Sequence, residues 1–147
     1  LTLDVALRVE AILRSNGVTT VMTRRRDKTV TLDDRASMAN RFPNSLFVSI
    51  HFNANRVQGF SGFETFYRSS EGQYVARCIQ RALAQNIRSV DRGITNNDFA
   101  VLTRTHGVAV LVECAFISNP NEAALCATPA HRQKIADAIA RGILNAM

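Results

Sequence analysis

Two short stretches constrain this chain more than anything else in it. Leu46–Ile50 (LFVSI) and Val108–Val112 (VAVLV) are near-continuous apolar runs, each closed by an ionisable residue, His51 and Glu113. An apolar run too short for a helix suits a strand covered on both faces, which is the condition of a parallel sheet between helical layers. Helical patterns flank both runs. The alternation predicts an α/β domain, a three-layer sandwich around a mostly parallel sheet.

The remaining elements follow from periodicity and caps. Val5, Val9, Ile12 and Leu13, widened by Leu3, Ala6 and Leu7, form a helical stripe that Gly17 stops. Val18–Thr23 is rich in β-branched residues and predicts a strand. Thr31-Leu-Asp-Asp34 has capping-box form and opens a helix through Asn40. Gly62–Tyr67 alternates, with Phe63, Thr65 and Tyr67 opposite Glu64 and Phe66. Ser70-x-x-Gln73 predicts the start of a long helix with the stripe Val75, Ile79, Ala82 and Leu83. Asp91–Gly107 reads as polar and irregular around a short apolar Phe99–Leu102. Asn119-Pro120 and Thr128-Pro129 each pair an N-cap residue with proline at the first helical position. Ile135, Ala138, Ile139 and Ile143 make the last stripe. With 147 residues and neither repeat nor linker, one domain is expected.

Composition narrows the partners. Eighteen Lys and Arg face twelve Asp and Glu, a net charge of +6, which favours anionic partners. The densest basic stretch, Arg24, Arg25, Arg26 and Lys28, has no interleaved aromatic residue, so the signature of single-stranded nucleic-acid binding is missing. No apolar run approaches the length of a membrane-spanning helix. Cys78, Cys114 and Cys126 show no C-x-x-C spacing and are expected to be free thiols.

In open parallel sheets ligands bind beyond the carboxyl ends of the strands. Thr23, Arg24, His51, Asn53, Asn55 and Glu113 all fall at such ends. Glu113 lies between VAVLV and CAFI, where desolvation disfavours its charged form and raises its pKa toward that of a general acid and base. The plain alternative is a glutamate that caps a loop N–H at a strand end. His51, beside a carboxylate at the same edge, becomes a candidate zinc ligand. His106 and His131 read as surface or structural histidines, and Ser49, on the His51 face of its strand, as a core residue. There is no G-x-S-x-G elbow and no glycine-rich phosphate loop.

These residues carry a resemblance. Thr23-Arg24, Asp27, Leu32–Arg35 and Ala39-Asn40 resemble the "TR…D…L..R…AN" pattern of zinc-dependent N-acetylmuramoyl-L-alanine amidases. Leu46–Ala54 (LFVSIHFNA) is similar to that family's second-histidine segment, and Gly62–Tyr67 to its GxETYY-like strand. Arg92-Gly93 with Phe99–Leu102 matches its "RG…F.VL" stretch, and Val110–Pro120 the segment bearing the catalytic glutamate. The motifs occur in order over essentially the whole chain. The resemblance implies a six-stranded α/β fold and a bacterial cell-wall hydrolase that acts in the periplasm, the wall or outside the cell. Its substrate would be peptidoglycan, cut at the amide between the lactyl group of N-acetylmuramic acid and L-alanine, with a Zn2+ cofactor. Carried over, Glu113 is the catalytic base and His51 a metal ligand, with Asn53 and Arg24 as substrate contacts. A non-catalytic, peptidoglycan-binding module of the same fold is the alternative. A nucleic-acid binder rests on charge alone.

The chain departs from the family pattern at its start. The family's first strand, with a DPGHGG-like turn carrying the first histidine, and a glutamate ahead of the first helix supply the other zinc ligands; Leu1 already lies in that helix. The expectation is an amidase catalytic domain lacking its first strand and first metal-ligand segment. Because catalytic zinc uses three protein ligands, residues 1–147 alone should purify with little zinc and cleave no amide. Metal analysis of the chain and of His51→Ala checks this: near-stoichiometric zinc lost in the variant overturns it.

Overall fold

The computed structural model describes residues 1–147. Its elements, in chain order, are α1 (Thr2–Ser15), α2 (Leu32–Asn40), β1 (Leu46–Asn53), β2 (Phe63–Tyr67), α3 (Ser70–Asn86), β3 (Asp91–Asn96), α4 (Ala100–Arg104), β4 (Val108–Phe116), α5 (Pro120–Ala127) and α6 (Pro129–Ala146). The sheet has four strands in the order β1-β4-β2-β3. The pairs β1–β4 and β2–β3 are parallel and the central β2–β4 pair is antiparallel, so the sheet is mixed.

The two apolar runs become β1 and β4, in side-by-side register from Leu46↔Val108 to His51↔Glu113. Their alternate residues feed two cores. On one face Val110, Val112, Cys114 and Phe63 join Val5, Val9 and Leu13 of α1, Ile79 and Leu83 of α3 and Ile135, Ile139 and Ile143 of α6. On the other face Ala109, Leu111 and Phe66 pack with Val101 and Leu102 of α4. There Phe99 meets Phe66 edge-on at 5.0 Å. The second core is much smaller, and α2 and α4 cover only part of that face.

Local signals in the sequence act where expected. Thr31 accepts a hydrogen bond from the Asp34 N–H, Asn119 from those of Asn121 and Glu122, and Thr128 from that of His131. Gly17 adopts φ +79°, the left-handed conformation that ends α1. The cap of α3 sits one residue earlier than Ser70: Ser69 accepts from the Gly72 N–H, and Gln73 donates to the Tyr67 hydroxyl instead of closing a box. All three cysteines are free.

Three expectations need correction. Val18–Thr23 forms no strand. It is tied to α1 by side chains, with Arg25 and Thr20 donating to the buried Glu10, but no neighbour offers it a backbone ladder; β-branched residues alone do not make a strand without a partner. Asp91–Asn96 pairs with β2 despite its polar composition, because a parallel neighbour supplies the ladder and only half-buried packing is asked of it. The sheet has four strands, where the resemblance implied a six-stranded family fold with its first strand missing here.

The α3–α6 contact depends on a residue with no side chain. A Cβ at Gly142 would lie 2.4 Å from Ile79 Cα and 2.8 Å from Ile79 N, backbone atoms that cannot turn aside. Alanine gains about 1 kcal/mol over glycine inside a helix, but separating two packed helices costs more. Gly142→Ala should destabilise the protein by about 1–3 kcal/mol net, measured by urea unfolding.

Candidate active site

His51 and Glu113 are register partners on adjacent parallel strands, and Glu64 of β2 is the antiparallel partner of Glu113. The three residues therefore form one row across the sheet. Alternation puts Val48, Ile50, Val110, Val112, Phe63 and Thr65 toward the larger core. The row thus faces the other side, just beyond the small cluster of Phe66, Leu111 and Phe47. The site occupies the uncovered part of a sheet face at the carboxyl ends of β1 and β4, rather than the rim outside them. A bulge follows at once: the next pair after His51↔Glu113 is Asn53↔Phe116, with one extra residue on β4. Bulges of this kind bend a strand and re-aim its side chains beside functional sites.

Glu113 is the most perturbed carboxyl. Burial, and secondarily the charge of Glu64, push its pKa from 4.5 up to about 7. Its Oε2 is buried without a hydrogen-bond partner, the one such side-chain atom in the structure. An acceptor left bare in this way needs a proton or a cation. His51 moves the opposite way: desolvation, then the positive Arg35, lower its pKa and keep the imidazole neutral near pH 7. Its Nε2 lies 3.1 Å from the Ser49 hydroxyl, and Ser49 is buried on the same face. Ser49 thus has a polar partner as well as a core position.

The other candidates are placed less directly. Arg24 lines a cavity with Arg35, Ser49 and Met22, next to β1. Its guanidinium donates to the Thr2 hydroxyl at 3.1 Å, the Lys28 carbonyl at 3.1 Å and Asp27 at 3.3 Å, so intrachain partners hold it. Asn53 accepts from the Ala54 N–H and Asn55 from the Val57 N–H, which spends both side-chain oxygens on turning the chain. His106 and His131 lie away from the row, His131 in the first turn of α6.

Sequence reasoning missed the residue that frames the site. Glu122 is 8% exposed and accepts from the Gly62 N–H at 3.0 Å, the Phe116 N–H at 2.6 Å and the Ser89 hydroxyl. It joins the start of β2 to the end of β4, at the same end of the sheet, just beyond Glu64 and Glu113. Its place as the third residue of a helix opened by Asn119 was a signal, since glutamate there commonly reaches back to satisfy free N–H groups. Arg92 was also passed over as a contact: it lies 5.1 Å from the Phe60 ring centre and 5.0 Å from that of Phe116, and donates to the Ser61 carbonyl at 2.7 Å. Together Glu122 and Arg92 pin the loop that leaves β1.

These donors fit a zinc ion only in part. A neutral imidazole and an unsatisfied carboxylate oxygen suit a divalent metal. No three His, Cys, Asp or Glu side chains converge closely enough to hold one, and catalytic zinc takes three protein ligands. The residues present do not make a complete zinc site. What the row does provide is a half-buried carboxyl able to take and return a proton near neutrality.

The sequence model of the N-acetylmuramoyl-L-alanine amidase family matches residues 1–145. Among curated relatives, YqiI of Bacillus subtilis is 37% identical over 89% of this chain and 65% of its own length. The N-acetylmuramoyl-L-alanine amidase LytC of the same organism is 34% identical over 97% of this chain and 30% of its own. The chain thus spans less than two thirds of either relative. Among solved structures, the catalytic domain of the amidase CwlV from Paenibacillus polymyxa superposes with a TM-score of 0.92 at 33% identity, covering 97% of this chain and 80% of that one. The amidase AmiC2 of Nostoc punctiforme gives 0.93, also at 33% identity, over 97% and 80%.

The Glu113 pKa has a consequence for stability. Its folded value lies above the unfolded one, so the folded state holds the proton more tightly. That contribution is complete below about pH 4.5 and is lost as the pH rises through about 7, where the ionised side chain opposes folding. Glu113→Gln, uncharged and of the same shape, should melt higher than the wild type at pH 8 and level with it at pH 4, by circular dichroism.

Proposed function

We propose that this chain, which belongs to the N-acetylmuramoyl-L-alanine amidase family, acts on peptidoglycan by hydrolysing the amide between the lactyl group of N-acetylmuramic acid and L-alanine, with Glu113 as general base and then general acid. The observation that carries this reading is the state of Glu113: half-buried, pushed up to about 7, with one oxygen lacking any partner. A carboxyl so poised removes a proton from water as it attacks the carbonyl carbon and returns a proton to the departing nitrogen. An exposed carboxylate with an ordinary pKa is a much weaker base. Family membership supports the substrate, and the names of LytC and of the CwlV catalytic domain belong to proteins of that activity.

Zinc dependence is part of this reading by resemblance, with His51 as the ligand this chain contributes. Its neutral imidazole suits that role. Arg24 and Asn53 are proposed as substrate contacts; both stand near β1 on the His51 side of the row. Action at the cell wall, in the periplasm or outside the cell follows from the substrate. No helix is long and apolar enough to cross a membrane.

A binding module of the same fold is the second reading, though a degenerate domain would be free to lose His51 and Glu113, and this chain keeps both. One assay separates the two. Purified peptidoglycan is incubated with this chain in its natural polypeptide context, and new L-alanine amino termini are counted beside sedimentation with the insoluble wall. Glu113→Gln should reduce release by at least about a hundredfold while sedimentation persists. Wall binding with no release by the wild type in any context establishes the binding module instead.

A further inference from the structure

Glu64 has no assigned task, yet it completes the row. It is the Cα partner of Glu113, on the side away from His51, so the order across the sheet is His51, Glu113, Glu64. The Thr95 hydroxyl donates to its Oε1 at 2.6 Å and holds the carboxylate in place from β3. Its other oxygen has no intrachain donor. None of the chain's ion pairs includes Glu64 or Glu113. Side by side without a counter-cation, two carboxylates repel, and a positive group placed between them relieves that repulsion.

The reaction supplies that group. As water bonds to the carbonyl carbon, the C–N bond breaks and its electron pair stays on nitrogen. The nitrogen gains protons while the new lactyl acid loses one, so the products near pH 7 are a carboxylate and an α-ammonium, whose ordinary pKa is about 8. We propose, on the strength of the function inferred above, that Glu64 receives this amine: its free oxygen accepts from the L-alanine nitrogen, with Glu113 on the other side of that nitrogen. Glu64 is then a substrate-contacting residue that fixes direction. The stem peptide lies over β2 and β3, where Thr95 is exposed, and the muramic acid lies over β1, toward Arg24 and Arg35.

Product binding tests this without requiring turnover. The probes are L-alanyl-D-isoglutamine, which has a free amine, and its N-acetyl form, which does not. Each is titrated into the chain at pH 7 and followed by backbone amide NMR shifts, with and without a chelator. A charge-assisted hydrogen bond predicts that the free amine binds about tenfold more tightly, with shifts centred on Glu64 and Thr95. Glu64→Gln should abolish the preference while leaving the acetylated probe's affinity unchanged, and Thr95→Val should reduce it. A merely structural Glu64 would weaken both probes alike. Equal binding of the two probes by the wild type, or a preference that survives in Glu64→Gln, overturns the assignment. So does a preference lost on chelation, since a divalent cation would then occupy the carboxylate pair. If neither dipeptide binds although the chain still sediments with peptidoglycan, the amine site fails and the function stands. If the wall is not bound either, both fail.

Discussion

The parallel register of β1 against β4 is the constraint on which the site depends. A shift of one residue would send His51 and Glu113 to opposite faces, because side chains alternate along a strand. The register is held by burial: moving it would turn Val110 and Val112, both fully buried, out of the larger core. The hydrophobic effect thus fixes the relative position of two polar groups that contribute nothing to it. The bulge after this pair ends the regular ladder and opens the chain into the loops that frame the site.

Two glutamates of the same region show how environment divides their roles. Glu122 is buried and keeps three donors from three segments, which makes a carboxylate without a cation acceptable inside the protein. Glu113 is less buried yet has an oxygen with no donor, and its pKa rises to about 7. One carboxylate is spent on structure, joining the ends of β2 and β4. The other is left unsatisfied, and that poises it for proton transfer. The satisfied residue steadies the unsatisfied one, since its donors Phe116 and Gly62 both lie just beyond the row, at the end of β4 and the entry to β2. Stability given up at Glu113 is recovered in the cores and in the Glu122 hub, a familiar division between functional and supporting positions.

Much of this was legible from residues alone. The apolar runs, the helical stripes and the Asn119, Thr31 and Thr128 caps are local patterns with local causes, and each element formed. The motifs around His51 and Glu113 pointed to the same family that the comparisons show. Other features were hidden. Polar Asp91–Asn96 becomes a strand only because β2 runs beside it, and β-branched Val18–Thr23 does not because nothing does. The bonds that position Asn53 and Arg24 were hidden too: the Asn53 oxygen accepts from the Ala54 N–H, and Arg24 donates to the Lys28 carbonyl and the Thr2 hydroxyl. The alternation put Glu64 on the Phe66 face of its strand; only the antiparallel pairing with β4 places it beside Glu113.

The sequence by itself determined the class of fold, its helices and their caps, the two buried strands, and the pair of ionisable residues that end them. These depend on periodicity and on the chemistry of neighbours along the chain. The tertiary structure decided the strand order β1-β4-β2-β3, the face on which the row of His51, Glu113 and Glu64 lies, the bulge beside it and the Glu122 hub. Those depend on which strands meet, and pairing is settled by the total apolar surface that a given arrangement removes from water. No window of sequence contains that sum.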